Sequence, residues 1–104
     1  MARSSESRKL LRLLNADLAA AGERSGRDLE WSAQERAVLG LICDQTDRKA
    51  ELYAAYRDTD DAKARVKLSA EIRLLEGSIG RLLKGVSTDA PSGPRRYESQ
   101  ASRR

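Results

Sequence analysis

Few residues in this chain have side chains that could carry out catalysis. The sequence contains one cysteine, Cys43, and no histidine. A nucleophilic cysteine needs a nearby base such as histidine, and a zinc site draws on several cysteine and histidine ligands. Neither set exists here, so we predict that Cys43 is a buried, unreactive thiol, as free cysteines usually are. A lone cysteine also forms no intrachain disulfide, which suits a reducing cytoplasm.

The carboxylates offer one further candidate site. Asp44 and Asp47 would share one face of a helix, where paired carboxylates can bind a metal ion or transfer protons. Arg48 and Lys49 follow directly, so an ordinary solvated surface is the favoured interpretation. The stretch Gly77–Gly80 has a helical pattern and lacks the strand–turn–helix context of a phosphate-binding loop. The sequence therefore predicts a protein that is not an enzyme, with no cofactor and no metal site.

The composition is that of long, charged helices. Of 104 residues, 35% are charged and only 4% are aromatic, and Ala, Leu, Glu, Lys and Arg dominate. This length allows one domain with a modest core, and we predict an all-α fold. The net charge of +4 permits contact with DNA without requiring it. No apolar run approaches the length of a membrane span or a signal-peptide core, so we expect a cytoplasmic protein with no membrane contact.

Residues 1–31 are predicted to form an N-terminal arm. The first few residues are polar and are expected to fray. Leucines at helical spacing then indicate one short helix over residues 8–21, and Gly22 is placed to end it as a C-terminal cap. The charged stretch 22–30 holds two glycines, and we predict that it is a linker.

Residues 32–86 are predicted to form an antiparallel helical hairpin that serves as an oligomerisation core. Its two long helices are predicted over residues 33–57 and 61–85, and the short acidic turn between them makes them antiparallel neighbours. Each helix carries apolar residues at seven-residue spacing, which is typical of coiled-coil packing. The predicted core and oligomerisation residues are Leu39, Ile42, Tyr53, Tyr56, Leu68, Ile72, Leu75, Ile79, Leu82 and Val86.

Local signals mark the start of this hairpin and one irregularity near its end. Ser32 and Glu35 match a capping box, and Trp31 stands just before it, where a hydrophobic staple is usual. Gly77 and Gly80 weaken the helix propensity of the last segment. We favour a close helix–helix approach as the reason for these glycines, with local fraying as the alternative.

The apolar faces are wider than a two-helix seam requires. Residues flanking the main stripes extend them, and the N-terminal helix can cover only part of the surplus. The flanking residues are Val38, Leu41, Leu74 and Leu83. We therefore predict self-association, with a monomeric three-helix bundle as the alternative. Residues 87–104 hold both prolines and almost no apolar residues, so they are predicted to be a disordered, basic tail.

Several segments resemble a known family. They are Leu29-Glu30-Trp31, Asp47-Arg48-Lys49, the decapeptide KLSAEIRLLE from Lys67 and the nonapeptide RLLKGVSTD from Arg81. Over about residues 29–91 the chain is similar to small proteins encoded beside the large terminase gene in actinobacterial phages and prophages, which are taken as terminase small subunits. The resemblance implies a non-catalytic ring that binds viral double-stranded DNA and recruits and regulates the large terminase subunit, which carries the ATPase and nuclease. It also implies that residues 32–86 form the ring and that the tail contacts the large subunit or the portal.

The chain departs from this family at its N-terminus. Many small terminase subunits carry a helix-turn-helix domain there, whereas residues 1–31 provide only one clear helix. Contacts to DNA phosphates are therefore predicted in place of base reading in the major groove, and such binding would weaken steeply with salt. The candidate DNA-binding residues are Arg8, Lys9, Arg12, Arg95, Arg96, Arg103 and Arg104. An ordinary solvated surface is the equal alternative for each cluster.

Two other classes of function stay open. The near-balanced charge of residues 32–86 favours a coiled-coil adaptor or assembly protein without nucleic-acid binding. A small transcriptional regulator is the weakest alternative, because a helix-turn-helix module is missing. The number of subunits in the assembly separates the packaging protein from the adaptor.

Overall fold

A computed structural model describes residues 3–86 and the backbone of residues 97–98. The elements are α1 (Ser5–Ser25), β1 (Leu29–Glu30), α2 (Ala33–Asp58), α3 (Ala62–Lys84) and β2 (Tyr97–Glu98). The predicted helical hairpin with a preceding helix is confirmed. The strands β1 and β2 pair antiparallel. Apart from β2, the tail predicted to be disordered, residues 87–104, lies outside the described residues.

The first helix, α1, is longer than predicted. It begins after Ser4, whose hydroxyl accepts a hydrogen bond from the Ser7 backbone N–H at 3.1 Å. It ends at Gly26, which has a left-handed φ of 70° that suits glycine. The prediction that Gly22 ends the helix and begins a linker is therefore wrong.

Gly22 has a different role, because it allows a close backbone approach. It is buried inside α1, and the Arg27 backbone N–H donates to its carbonyl at 2.9 Å. A Cβ atom at this position would lie only 2.6 Å from the Arg27 carbonyl oxygen. Glycine is thus required here by the returning chain, which turns back along α1 towards β1.

The start of α2 carries the predicted capping box. The Ser32 hydroxyl accepts from the Glu35 backbone N–H at 3.1 Å, and the Glu35 carboxylate accepts from the Ser32 backbone N–H at 3.0 Å. The predicted staple at Trp31 is wrong, since Arg36 occupies the position that an apolar residue would need and donates to the Trp31 carbonyl at 2.7 Å. Trp31 packs into the core, and its indole N–H donates to Asn15 of α1 at 2.8 Å.

Three residues connect the two long helices. Asp61 caps α3, because its carboxylate accepts from the Ala64 backbone N–H at 2.9 Å. This short connection makes α2 and α3 antiparallel, as expected. The helix α3 is continuous to Lys84, so the glycines near its end cause no fraying. A Cβ on Gly80 would meet nothing within 4 Å, and one on Gly77 only the Arg81 side chain at 3.5 Å, so the favoured close approach does not occur among the described residues.

The core joins α1 to one end of the hairpin. Its buried members are Leu18, Trp31, Leu39, Ile42, Ile79 and Val86, with Leu10, Leu11, Leu14, Leu29, Val38, Leu82 and Leu83 partly buried against them. The helix α1 therefore covers the half formed by the start of α2 and the end of α3. In the other half, Leu52 and Ile72 are buried in the hairpin seam.

The predicted seam residues fall into three groups. Leu39, Ile42, Ile72, Ile79 and Val86 are buried, whereas Tyr56, Leu68, Leu75 and Leu82 are half-buried. Tyr53 is 39% exposed, and its hydroxyl donates to Glu76 of α3 at 3.2 Å. It therefore lies at the margin of the seam. In the part of the chain that the structure describes, no helix has both the length and the apolar character needed to cross a membrane.

Candidate assembly and nucleic-acid surfaces

Cys43 is buried in α2 where α1 packs against it, as predicted. Its side chain is 2% exposed, and its backbone carbonyl accepts from the Ser7 hydroxyl of α1 at 3.1 Å. Burial raises the pKa of the Cys43 thiol. The charge of Arg3 partly offsets this rise, and the charges of Asp47 and Asp44 act in the same direction as burial. The reactive thiolate is therefore disfavoured at neutral pH.

The carboxylate of Asp47 fastens the start of α1 to α2. It accepts from the Ser4 backbone N–H at 3.0 Å, from the Ser7 hydroxyl at 2.6 Å and from the Arg3 guanidinium at 3.1 Å. Arg3 also bonds Asp44 at 2.5 Å. Burial by itself would raise the pKa of Asp47, but these hydrogen bonds outweigh burial and hold the pKa well below its ordinary range.

This arrangement corrects the interpretation of the acidic pair as ordinary solvated charge. Asp44 is exposed, but Asp47 is a half-buried anchor whose side chain is 27% exposed. Arg48 and Lys49, expected to balance the pair, contact other acids. Across the described residues, no group of three or more Cys, Asp or Glu side chains comes together as a metal site would need. The pair is thus a structural contact between helices.

The N-terminal cations predicted to contact DNA lie near the start of α1. Lys9 and Arg12 are exposed and make no hydrogen bond or ion pair with another described residue. Arg8 is also exposed, but its guanidinium donates to the Arg3 carbonyl at 2.5 Å. At helical spacing the three share one side of α1. The other candidates, Arg95, Arg96, Arg103 and Arg104, lie outside the described residues.

Charge is unevenly divided between the two hairpin helices. The helix α2 contains five acidic and four basic residues, whereas α3 contains six basic and two acidic residues. Both acids of α3 lie near cations of α2: Glu71 is 3.8 Å from Arg48, and Glu76 is 3.8 Å from Lys49. The outward side of α3 is therefore almost purely positive. A total taken over residues 32–86 hides this division, because the net negative charges of α2 and of Asp60 and Asp61 in the turn offset most of the net positive charge of α3.

Each long helix carries a second stripe at seven-residue spacing that is exposed to solvent. On α2 this stripe includes Arg48, which also reaches Glu71 of α3, and Asp44, which binds Arg3. The acidic edge of α2 consists of Ala37, Leu41, Asp44, Arg48, Glu51, Ala55 and Asp58. The basic edge of α3 consists of Lys63, Lys67, Ala70, Leu74, Gly77, Arg81 and Lys84. Every residue in both stripes is exposed. Leu41 is 50% exposed and Leu74 is 73% exposed.

The half of the hairpin beyond α1 adds an aromatic groove beside the basic edge. Tyr53, Tyr56, Ser69, Ile72 and Arg73 line it. The guanidinium of Arg65 stacks over the Tyr56 ring at 4.6 Å from its centre. Val66, beside this groove, is 70% exposed. The groove is open to solvent, and Glu76 also lines it.

These surfaces and the division of charge were not identified from the sequence. The sequence contains both edges as a second seven-residue stripe on each long helix. A separate charge count for each helix would have shown the division of charge. No protein-family model, no curated protein and no solved structure matches the chain.

Proposed function

We propose that this chain is a non-catalytic, self-assembling component of phage DNA packaging, similar to a terminase small subunit. In this role a ring of copies binds viral DNA and recruits and regulates a large subunit that carries the ATPase and nuclease. The observation that carries the proposal is the pair of exposed, seven-residue-spaced edges on the outside of the hairpin. Together with the segment resemblance, they favour a subunit that is completed by other copies of itself.

Apolar exposure supports the assembly part of the proposal. Val66 and Leu74 are 70% and 73% exposed on α3, although each is large enough to stabilise a contact by about 1.5 kcal/mol or more when buried. The helix α1 lies on the other half of the hairpin from Val66. Copies that pack side by side would cover these residues without any rearrangement of the fold.

The DNA part of the proposal is assigned to the α1 cations. Lys9 and Arg12 project from a helix that is held firmly at its start by Asp47, so their positions are fixed relative to the hairpin. In an assembly, each copy would present the same cations, and weak phosphate contacts would be multiplied. Such contacts carry no sequence information of their own.

A gel-shift titration with double-stranded DNA at several salt concentrations tests this assignment. Lys9→Ala combined with Arg12→Ala is expected to weaken binding and to reduce the slope of log affinity against log salt by about 2 per copy, one unit for each phosphate contact. The matched control is Arg57→Ala with Arg65→Ala, which removes the same charge from the far end of the hairpin. Equal losses in both variants, or wild-type binding that does not change between about 50 and about 300 mM salt, would contradict the assignment.

The second candidate function is a coiled-coil adaptor that binds no nucleic acid. It is favoured by the seven-residue spacing of both edges, which is the spacing of protein–protein contacts between helices. An assembled protein without measurable affinity for DNA at low salt would select this alternative.

A further inference from the structure

The two edges of the hairpin match each other in charge. The acidic edge holds three acids and one arginine, whereas the basic edge holds four cations and no acid. Two basic edges would repel each other, and so would two acidic edges. An acidic edge facing a basic edge is the favourable pairing, and opposite potentials across an interface set both orientation and partner choice.

The edges also match in height along the hairpin. The helices α2 and α3 are antiparallel, and Arg48 of α2 lies beside Glu71 of α3. Residues of the two helices that are equally far from the turn therefore lie at the same level along the hairpin axis. If a second copy stands beside the first in the same orientation, Asp58 of one comes level with Lys63 of the other. Glu51 then lies within about one helical turn of Lys67.

The apolar positions of the edges fit the same arrangement. The acidic edge has small side chains at Ala37 and Ala55, and the basic edge has small residues at Ala70 and Gly77. Small residues allow two helices to approach closely, and Leu74 then fills the space between them. Gly77, where an added Cβ would meet only the Arg81 side chain among the described residues, acquires a packing role in this interface.

We propose that copies of this chain associate front to back, with the acidic edge of one copy docked on the basic edge of the next. The inference rests on the self-association in the proposed function and specifies its surface and direction. Since the two contacting surfaces differ, each copy keeps one free edge and the contact repeats, giving a ring where the rotation between copies closes and an open filament where it does not. Within each contact, α2 of one copy lies antiparallel to α3 of its neighbour, which repeats the arrangement inside the hairpin.

Charge reversal tests this pairing directly. Variant one carries Glu51→Lys and Asp58→Lys, so both of its edges are basic. Variant two carries Lys63→Glu and Lys67→Glu, so the part of its basic edge nearest the turn becomes acidic and would face Glu51 and Asp58 of the neighbouring copy. All four side chains are exposed, and the new charges at residues 58 and 63 suit the helix ends on which they lie, so each variant is expected to keep its helical content by circular dichroism.

Sedimentation velocity at moderate salt provides the measurement. Each variant alone is expected to need about tenfold more protein for half-assembly, whereas an equimolar mixture, or one chain with all four substitutions, assembles at the wild-type concentration. Each variant alone assembling like the wild type would overturn the edge pairing while leaving self-association intact. Loss of DNA binding in variant two with unchanged assembly would also overturn it, because the basic edge would then serve nucleic acid. Failure of the wild-type chain to assemble would instead contradict the self-association in the proposed function.

Discussion

The anchor at Asp47 gives a quantitative prediction for α1. Asp47→Ala removes the acceptor for the Ser4 backbone N–H, the Ser7 hydroxyl and the Arg3 guanidinium, at 3.0, 2.6 and 3.1 Å. Hydrogen bonds to a charged group contribute about 1.5 to 3 kcal/mol each when well shielded. These three are coupled and partly solvated, and Ser7 keeps its bond to the Cys43 carbonyl. We therefore expect a total loss of about 2 to 3 kcal/mol.

Asp44→Ala is the matched control. Asp44 lies on the same helix as Asp47, and its carboxylate also binds Arg3. Its side chain is 66% exposed and bonds Arg3 alone among the described residues, so the expected loss is below about 1 kcal/mol. Urea unfolding monitored by circular dichroism, at one fixed protein concentration, measures both variants. Hydrogen exchange should show faster exchange in the first turns of α1 for Asp47→Ala. Equal losses in the two variants would refute the anchor.

The same anchor predicts a pH dependence. The folded pKa of Asp47 lies below its ordinary value, so the carboxylate binds protons less readily in the folded chain than in the unfolded chain. Its stabilisation is therefore complete above an ordinary aspartate pKa of about 3.9 and is lost as the pH falls from there towards the folded pKa. The difference in unfolding free energy between wild type and Asp47→Ala should be constant near neutral pH and shrink below about pH 4. A difference that already shrinks between about pH 7 and 5 would contradict this cause.

Four further substitutions have defined outcomes in the same unfolding assay. Gly22→Ala should destabilise by about 1 to 3 kcal/mol because its Cβ would clash with the Arg27 carbonyl, whereas Gly40→Ala, with open space, should stabilise by about 0.4 to 1 kcal/mol. Ser32→Ala should cost about 1 kcal/mol through loss of the capping box, and no change would show that water replaces it. Leu75→Asp places a carboxylate in the half-buried seam and should cost several kcal/mol, with loss of helicity and assembly; unchanged circular dichroism and assembly would mean that the wrong face was assigned.

The hairpin was predictable because its signals are local. The capping box at Ser32 and the apolar residues at seven-residue spacing each depend on neighbours within a few positions. The end of α1 was not predictable in this way, because Gly22 and Gly26 are both compatible with a helix end. The choice between them depends on where the Arg27 backbone returns, which is a tertiary contact.

The Asp47 anchor and the two edges were not predicted from the sequence, for different reasons. The partners of Asp47 lie 40 to 44 residues earlier in the chain, so no local pattern could connect them. The edges, by contrast, are periodic and therefore present in the sequence. They were missed because a charge count over the whole hairpin combines α2 with α3. Tyr53 was assigned to the seam by spacing alone, and its exposure reflects a position at the seam margin.

Self-assembly into a closed ring is the central claim, and native mass spectrometry of the purified chain at moderate salt tests it most directly. A closed ring requires one dominant species with more than two copies and a single defined subunit number, whereas a front-to-back contact that does not close gives filaments of many lengths. A monomer, or a dimer that does not grow with protein concentration, would contradict the account.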